Sequence, residues 1–351
     1  MKIDQYEIGL THQPFVIAEM SGNHNQSLQR ALEIVEAAAK SGAHAVKLQT
    51  YTAETMTLDL KEGEFFIKDP NSLWNGTSLF ELYGQAHTPW EWHVPIMQRA
   101  KELGLACFST PFDSTAVAFL EGLNAPCYKI ASFENTDLPL IRQVAKTGKP
   151  MIISTGMATL AEIDEAVRAA RAEGCKDLIL LKCTSSYPAH PASSNLASIP
   201  HMRAMFGCEV GLSDHTLGIG AAIASVALGA TVIEKHVTIN RAEGGVDSAF
   251  SLEPDELKQL VQGTLTAWQA IGSLQFGPSN EEAGSLVFRR SLYICENMKA
   301  GDALTPGNLR AIRPGHGLPP KYIDRVMGKR VNRALKKGTA LRWEFLLDGT
   351  Q

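Results

Sequence analysis

Long apolar runs are missing from this 351-residue sequence: the longest candidates are broken by Lys, Glu or His short of the roughly 20 residues that cross a bilayer. An export signal is missing as well. The opening stretch, MKIDQYEIGLTHQPF, contains Asp4 and Glu7 and no apolar core, so the expected compartment is the cytoplasm. The six cysteines (Cys107, Cys127, Cys175, Cys183, Cys208, Cys295) form no C-x-x-C pair, which argues against a zinc ribbon and against a disulfide framework. They read as buried thiols. Excess positive charge is absent too: a formal net charge of -4 gives no bulk reason to expect nucleic acid, while local basic clusters remain free to bind small anions. Among short motifs there is no P-loop, no H-E-x-x-H and no G-x-S-x-G elbow. The one glycine cluster, TLGIGAAIASVALGA (216 to 230), follows a strand pattern and reads as close helix packing rather than dinucleotide binding.

What is present is the composition of a soluble globular protein, 44% hydrophobic and 20% charged, arranged as an alternation of strands and helices. Eight strand-like runs stand out: FVIAEM (15 to 20), AVKLQT (45 to 50), ACFSTP (106 to 111), CYKIAS (127 to 132), MIISTG (151 to 156), LILLKCTS (178 to 185), EVGLSD (209 to 214) and TVIEKHVT (231 to 238). Amphipathic stretches such as SLQRALEIVEAAAKSG and TLAEIDEAVRAARAEG separate them and stop at glycine. Eight such units predict an α/β fold closed into a (β/α)8 TIM barrel. An aromatic insertion at about 52 to 90 is expected to fold over the barrel mouth. The barrel is predicted to span 1 to 271, a Gly/Ser/Pro/Glu connector 272 to 288, and a turn-rich, basic second domain 289 to 351.

In such a barrel chemistry collects where the strands finish. Glu19 ends the first strand, and Lys47 and Gln49 share a parity near the end of the second. Ser109 and Thr110, Lys129 and Ser132, and Ser154, Thr155 and Gly156 close the next three. A lone lysine there is satisfied by a stem packed on the barrel with its head in water. Two lysines beside several hydroxyls imply a bound anion, because an ammonium buried without a counter-charge is costly. The seventh strand places Gly211, Ser213 and His215 on one parity, and the eighth places Glu234 and His236 together. Two imidazoles on neighbouring strand ends either hold a divalent metal or are separately hydrogen-bonded, and two histidines without an obvious third protein ligand leave both readings open. Lys235 has the opposite parity and is expected to be paired behind the barrel.

The segments IAEMSGNHN, VKLQTY, FSTPFD, YKIAS, IISTGM, LKCTSSYPA, GLSDH and EKHVT, in this order, resemble the sialic acid synthase family over nearly the whole chain. RPGHGLPP, GKR and LKKGTAL resemble the antifreeze-like (SAF) domain that follows the barrel in that family. Within the family, SLWNGTSLFELYGQAHTPWEWH and LKCTSSYPA are more similar to the branch that makes pseudaminic acid. Ser185 stands where synthases of N-acetylneuraminate usually carry Asn, which favours a 6-deoxy-2,4-diacetamido hexose of altrose configuration over N-acetylmannosamine.

The resemblance implies an enzyme, a transferase that condenses phosphoenolpyruvate with the open-chain aldehyde of an acylated amino sugar and releases phosphate. It implies that Lys47, Thr110, Lys129, Ser132, Ser154 and Ser213 hold phosphoenolpyruvate. By the same resemblance His215 and His236 ligate Mn²⁺ or Mg²⁺. Glu19, with Glu234 second, positions water or moves a proton. Tyr187, Asp247 and Arg313 touch the sugar, Arg313 from the small domain of a neighbouring subunit in a domain-swapped homodimer. Synthases of N-acetylneuraminate or legionaminic acid are the nearest alternatives. A metal-dependent aldolase and a non-catalytic glycan-binding protein are the alternatives of another class.

Overall fold

A computed structural model of the chain describes residues 1 to 70 and 72 to 347. Eight parallel strands close on themselves: β1 (Phe15–Glu19), β2 (Ala45–Thr50), β3 (Ala106–Pro111), β4 (Tyr128–Ile130), β5 (Met151–Ser154), β6 (Leu178–Cys183), β7 (Glu209–Asp214) and β8 (Val232–His236), with β8 pairing both β7 and β1. This is the predicted barrel. Every predicted strand forms, but several stop early. CYKIAS keeps only Tyr128–Ile130, because Ser132–Glu134 turns into a 3-10 helix whose Ser132 hydroxyl accepts a hydrogen bond from the Gly156 amide. The rim residues therefore leave the ladder to serve the loops.

Strand parity divides the barrel into two apolar populations. One set, including Phe15, Ile17, Phe108, Ile152, Leu181 and Val232, packs inside the barrel. The alternate set, including Val16, Val46, Ile153, Leu180 and Ile233, packs outward beneath the helices. An N-terminal hairpin, Lys2–Ile3 with Tyr6–Glu7, adds Ile3 and Ile8 to the interior set. Helix starts are capped locally, as at Ser27, Asp113, Asp137 and Thr159, so each helix is positioned relative to the strand before it.

The insertion after β2 is ordered around a short bridge, Phe66 with Ser78, and around a capping box in which Ser78 and Glu81 start the helix Leu79–Ala86. That helix lies close on the loop after β1. A Cβ added to Gly22 would stand 3.0 Å from the Ala86 Cα, so glycine is required for this approach. The chain separates into two compact units, Met1–Gly272 and the residues from Ser273 on. The second unit has its own core around Leu292, Ile294, Val326, Val331 and Leu341, and an antiparallel pair, Ser291–Ile294 with Leu309–Ile312. Among the described residues no helix is long and apolar enough to cross a membrane.

One buried imidazole ties the base of the barrel to pH. His44, immediately before β2, accepts the Val16 amide proton at Nδ1 (3.0 Å), which requires a neutral ring, and burial lowers its pKa from 6.5 to about 4. A folded-state pKa below the unfolded one means that the unfolded chain binds more protons between these values, so stability is lost as pH falls through that window. For His44 the loss between pH 7 and pH 5 is about 2 kcal/mol. Denaturant midpoints at the two pH values should therefore converge in His44→Gln relative to the unsubstituted protein. An unchanged pH dependence would remove His44 as a cause.

Candidate active site at the barrel mouth

The inward parity that is apolar in the barrel interior becomes polar at the C-terminal ends of the strands. Glu19, Lys47, Lys129, Ser154, Ser213 and Glu234 are all buried and line one cavity of about 360 Å³. Ser132, Cys183, His215 and His236 line the same cavity, together with Tyr187 and Asp247 from the loops. Thr110 is buried beside it, accepting from Lys47 Nζ at 3.2 Å.

The charges form one connected group. Lys47 Nζ lies 2.7 Å from Glu19 and 3.8 Å from Glu234, and Lys129 Nζ lies 3.8 Å from the other oxygen of Glu234. Ser213 donates to Glu234 at 3.0 Å and Gln49 donates to Glu19 at 2.9 Å. Two carboxylates on adjacent strands, Glu19 and Glu234, thus face the lysines and partly balance their charge. The pKa values follow from this packing. Burial pushes Glu19 up to about 7, against the pull of Lys47. Burial opposes the charge on Lys47, but Glu19 and Glu234 more than offset it and its pKa is raised. Lys129 is lowered, by burial first, and Glu234 is held below its usual range because its two lysines outweigh its own burial. The group contains fixed charges and one carboxyl balanced near neutrality, the condition for a proton carrier.

In the same cavity, with His236 beside Glu19 in the barrel register, the imidazoles of His215 and His236 lie 5.3 Å apart, centroid to centroid. His215 Nδ1 meets the Thr184 carbonyl at 2.9 Å, an arrangement that fixes the ring and frees Nε2 as an acceptor. His236 Nδ1 is buried with no hydrogen-bond partner, 3.7 Å from Asp247. An orphaned imidazole nitrogen beside an oriented second imidazole fits a divalent ion whose other positions are taken by water and substrate oxygen. No cluster of three or more His, Cys, Asp or Glu with metal-holding geometry occurs among the described residues. Asp247 also accepts a hydrogen bond from Ser21, which brings the loop after β1 to the loop after β8.

Of the residues singled out from the sequence, all twelve on the barrel converge here. Arg313 belongs to the second unit, on an exposed turn after Leu309–Ile312. Lys235 points the other way, as parity predicts, pairing with Asp214 at 2.7 Å. Sequence reasoning passed over Glu134, whose Oε2 is buried without a partner and whose pKa burial lifts to about 7. It lies two residues beyond Ser132 in a 3-10 turn, where no periodicity indicates direction. Cys183 was legible from the inward parity of 179, 181 and 183 and is lowered to about 7, His215 outweighing its burial. A Cβ on Gly156 would stand 2.2 Å from Ser185 Oγ and 2.7 Å from Ser132 Oγ, so this glycine keeps the hydroxyl end of the cavity open.

The chain is similar to known proteins over most of its length. Residues 34–276 match the NeuB family and residues 289–347 match the SAF domain. The chain is 42% identical to the pseudaminic acid synthase of Helicobacter pylori over 93% of its own length and 96% of that protein. It is 36% identical to the N,N'-diacetyllegionaminic acid synthase of Legionella pneumophila, over 95% and 94% of the two chains. In structure it is similar to the N-acetylneuraminic acid synthetase of Leptospira borgpetersenii, solved with citrate, with a TM-score of 0.73, 30% identity, and 82% and 94% of the chains covered.

If the imidazole pair is a metal site, His215→Ala and His236→Ala should each weaken Mn²⁺ binding at least about tenfold while the circular dichroism spectrum stays unchanged. Titration calorimetry decides it. Undiminished Mn²⁺ affinity in both variants would remove the pair as ligands.

Proposed function

We propose, from the premise that this chain belongs to the NeuB family, that it is a pseudaminic acid synthase acting on 2,4-diacetamido-2,4,6-trideoxy-altropyranose as its open-chain aldehyde. The observation that carries the chemistry is that one cavity gathers two lysines with hydroxyls, a carboxyl balanced near neutrality and two imidazoles. The 42% identity to a pseudaminic acid synthase, against 36% to a legionaminic one, favours the branch.

Phosphoenolpyruvate carries a phosphate and a carboxylate, and Lys47, Lys129, Thr110, Ser132, Ser154 and Ser213 offer the ammonium and hydroxyl donors for both. Its methylene carbon bonds to the aldehyde carbon, which leaves the adjacent carbon electron-poor. Water adds there and passes a proton to Glu19, whose pKa near 7 lets it accept and release at neutral pH. The tetrahedral adduct breaks its carbon-oxygen bond to phosphate and becomes the ketone. Two protons leave the water: one balances the new sugar hydroxyl and the other departs with phosphate. Glu234, kept ionised, holds the lysines in register rather than carrying the proton. His215 and His236 would hold a divalent ion, Mn²⁺ or Mg²⁺, which when bound would supply Lewis-acid chemistry for the aldehyde oxygen. Tyr187, 4.5 Å from His215 ring to ring, and Asp247, 3.7 Å from His236, would orient the sugar beside the imidazoles.

Bridging ¹⁸O in phosphoenolpyruvate tests the reaction. It should leave in inorganic phosphate while mass spectrometry finds the nine-carbon acid. Label retained in the organic product would defeat the carbon-oxygen cleavage, and cleavage or isomerisation of the sugar without phosphate release would point to an aldolase or isomerase.

Arg313 is assigned to the active site of a partner subunit in a two-fold dimer, with 272 to 288 as the connector and 289 to 351 as the reaching domain. Inactive His236→Ala and Arg313→Ala proteins, mixed and allowed to exchange, should then recover roughly a quarter of full activity, since half the dimers are mixed and each has one intact site. No recovery after demonstrated exchange would place Arg313 outside the partner's site.

A further inference from the structure

The outer part of the cavity is built differently from the inner part, and the difference lies in the insertion. Ile67, Trp74, Leu79 and Leu82, all from this segment, line the cavity together with Val246 from the loop after β8. None of these side chains offers a free polar group. The Trp74 indole N–H, the one donor among them, is already given to the Val246 carbonyl at 3.0 Å. That bond ties the insertion across the mouth to the loop after β8. The turn carrying Trp74 is closed by Ile67 donating to Thr77 and Gly76 donating to Ile67, at 3.0 and 2.9 Å, so the ring is held rather than merely adjacent.

A succession of ring contacts leads from the imidazoles to this roof. His236 lies 5.3 Å from His215, His215 lies 4.5 Å from Tyr187, and Tyr187 lies 6.1 Å from Trp74. An open-chain hexose spans roughly 6 Å from its first to its sixth carbon, five bonds of about 1.5 Å in zigzag. With the aldehyde at the imidazoles, an extended sugar has the length to carry its sixth carbon past Tyr187 toward Trp74. Tyr51 and Tyr83, which have hydroxyls to offer, form a separate ring cluster with Phe112 and suit the polar groups along the sugar.

We propose that Trp74, with Ile67 and Leu79, is the specificity-determining roof that accepts a terminal methyl group and disfavours a terminal hydroxymethyl, thereby selecting 6-deoxy sugars. The assignment rests on the substrate class proposed above. A hydroxyl placed against this wall loses its water and gains no partner. An apolar pocket rejects an added hydroxyl only moderately, so the expected preference has a ceiling.

The test compares the 2,4-diacetamido-6-deoxy sugar with its 6-hydroxy counterpart and with N-acetylmannosamine, at saturating phosphoenolpyruvate and Mn²⁺. The unsubstituted protein should favour the 6-deoxy sugar by about tenfold to a hundredfold in kcat/KM. Trp74→Ala should shrink that preference to about threefold or less, mainly by raising KM for the 6-deoxy sugar, while KM for phosphoenolpyruvate stays put. Trp74→Phe, which keeps an apolar ring, should retain most of the preference. An unchanged ratio in Trp74→Ala, or an equal loss on both diacetamido sugars with a raised KM for phosphoenolpyruvate, overturns the assignment and leaves the proposed function standing. Turnover of N-acetylmannosamine alone overturns both, because that sugar carries the hydroxyl the roof is said to disfavour.

Discussion

Lys47 sits between two carboxylates, 2.7 Å from Glu19 and 3.8 Å from Glu234, with Lys129 on the far side of Glu234. Four ionisable groups taken so far out of water are tolerable only as a set, since removing one leaves another charge unpaired where desolvation is expensive. The network thus constrains everything around it. The hydroxyls of Thr110 and Ser213 serve it directly, and Gln49 fixes the carboxyl of Glu19 through the oxygen that Lys47 does not use. An arriving dianion would not meet bare ammoniums. It must compete with Glu19 for Lys47, and the ease with which Glu19 takes a proton near pH 7 lets that competition be settled by proton transfer instead of by separating charges.

Register supplies the precision. Parallel pairing sets Glu19 opposite Lys47 on one side and opposite His236 on the other, and sets Ser213 opposite Glu234. The charged group and the imidazoles are consequently fixed to one another by backbone hydrogen bonds, with side-chain freedom only at the tips. A slip of one residue in β8 would turn Glu234 and His236 outward and bring Lys235 inward, exchanging a carboxylate and an imidazole for a third ammonium. The outward pairing of Lys235 with Asp214 and the Thr216 carbonyl opposes such a slip.

This dependence on parity explains what the sequence disclosed. Runs such as AVKLQT and TVIEKHVT show which side chains share a face, so Lys47 with Gln49, Glu234 with His236, and the opposite direction of Lys235 were readable directly. Residues past the strand ends were not. Ser132 and Glu134 sit in a 3-10 turn, and Ser21 reaches Asp247 across 226 positions of chain, a meeting that no local pattern encodes. Glu19 and Lys47 were legible as facing one mouth, but the sharing of Lys47 with Glu234 depends on how closely the last strand approaches the first after closure. Tyr187, Asp247 and Arg313 came only from family resemblance, since loops carry no period from which a direction can be taken.

The same division bears on how one scaffold serves related sugars. In the proposed reaction strand-borne groups would face the parts of the reactants that any condensation of phosphoenolpyruvate with an aldehyde shares: phosphate, carboxylate and carbonyl oxygen. The outer wall comes from an insertion that joins the rest through Gly22, a capped helix and one indole hydrogen bond. Changing a side chain on that wall alters the area and polarity presented to the far end of the sugar without moving a charge in the network, so its energetic effects stay largely independent of the chemistry. Selectivity can therefore shift at the roof while the barrel strands keep the arrangement that buried charge demands.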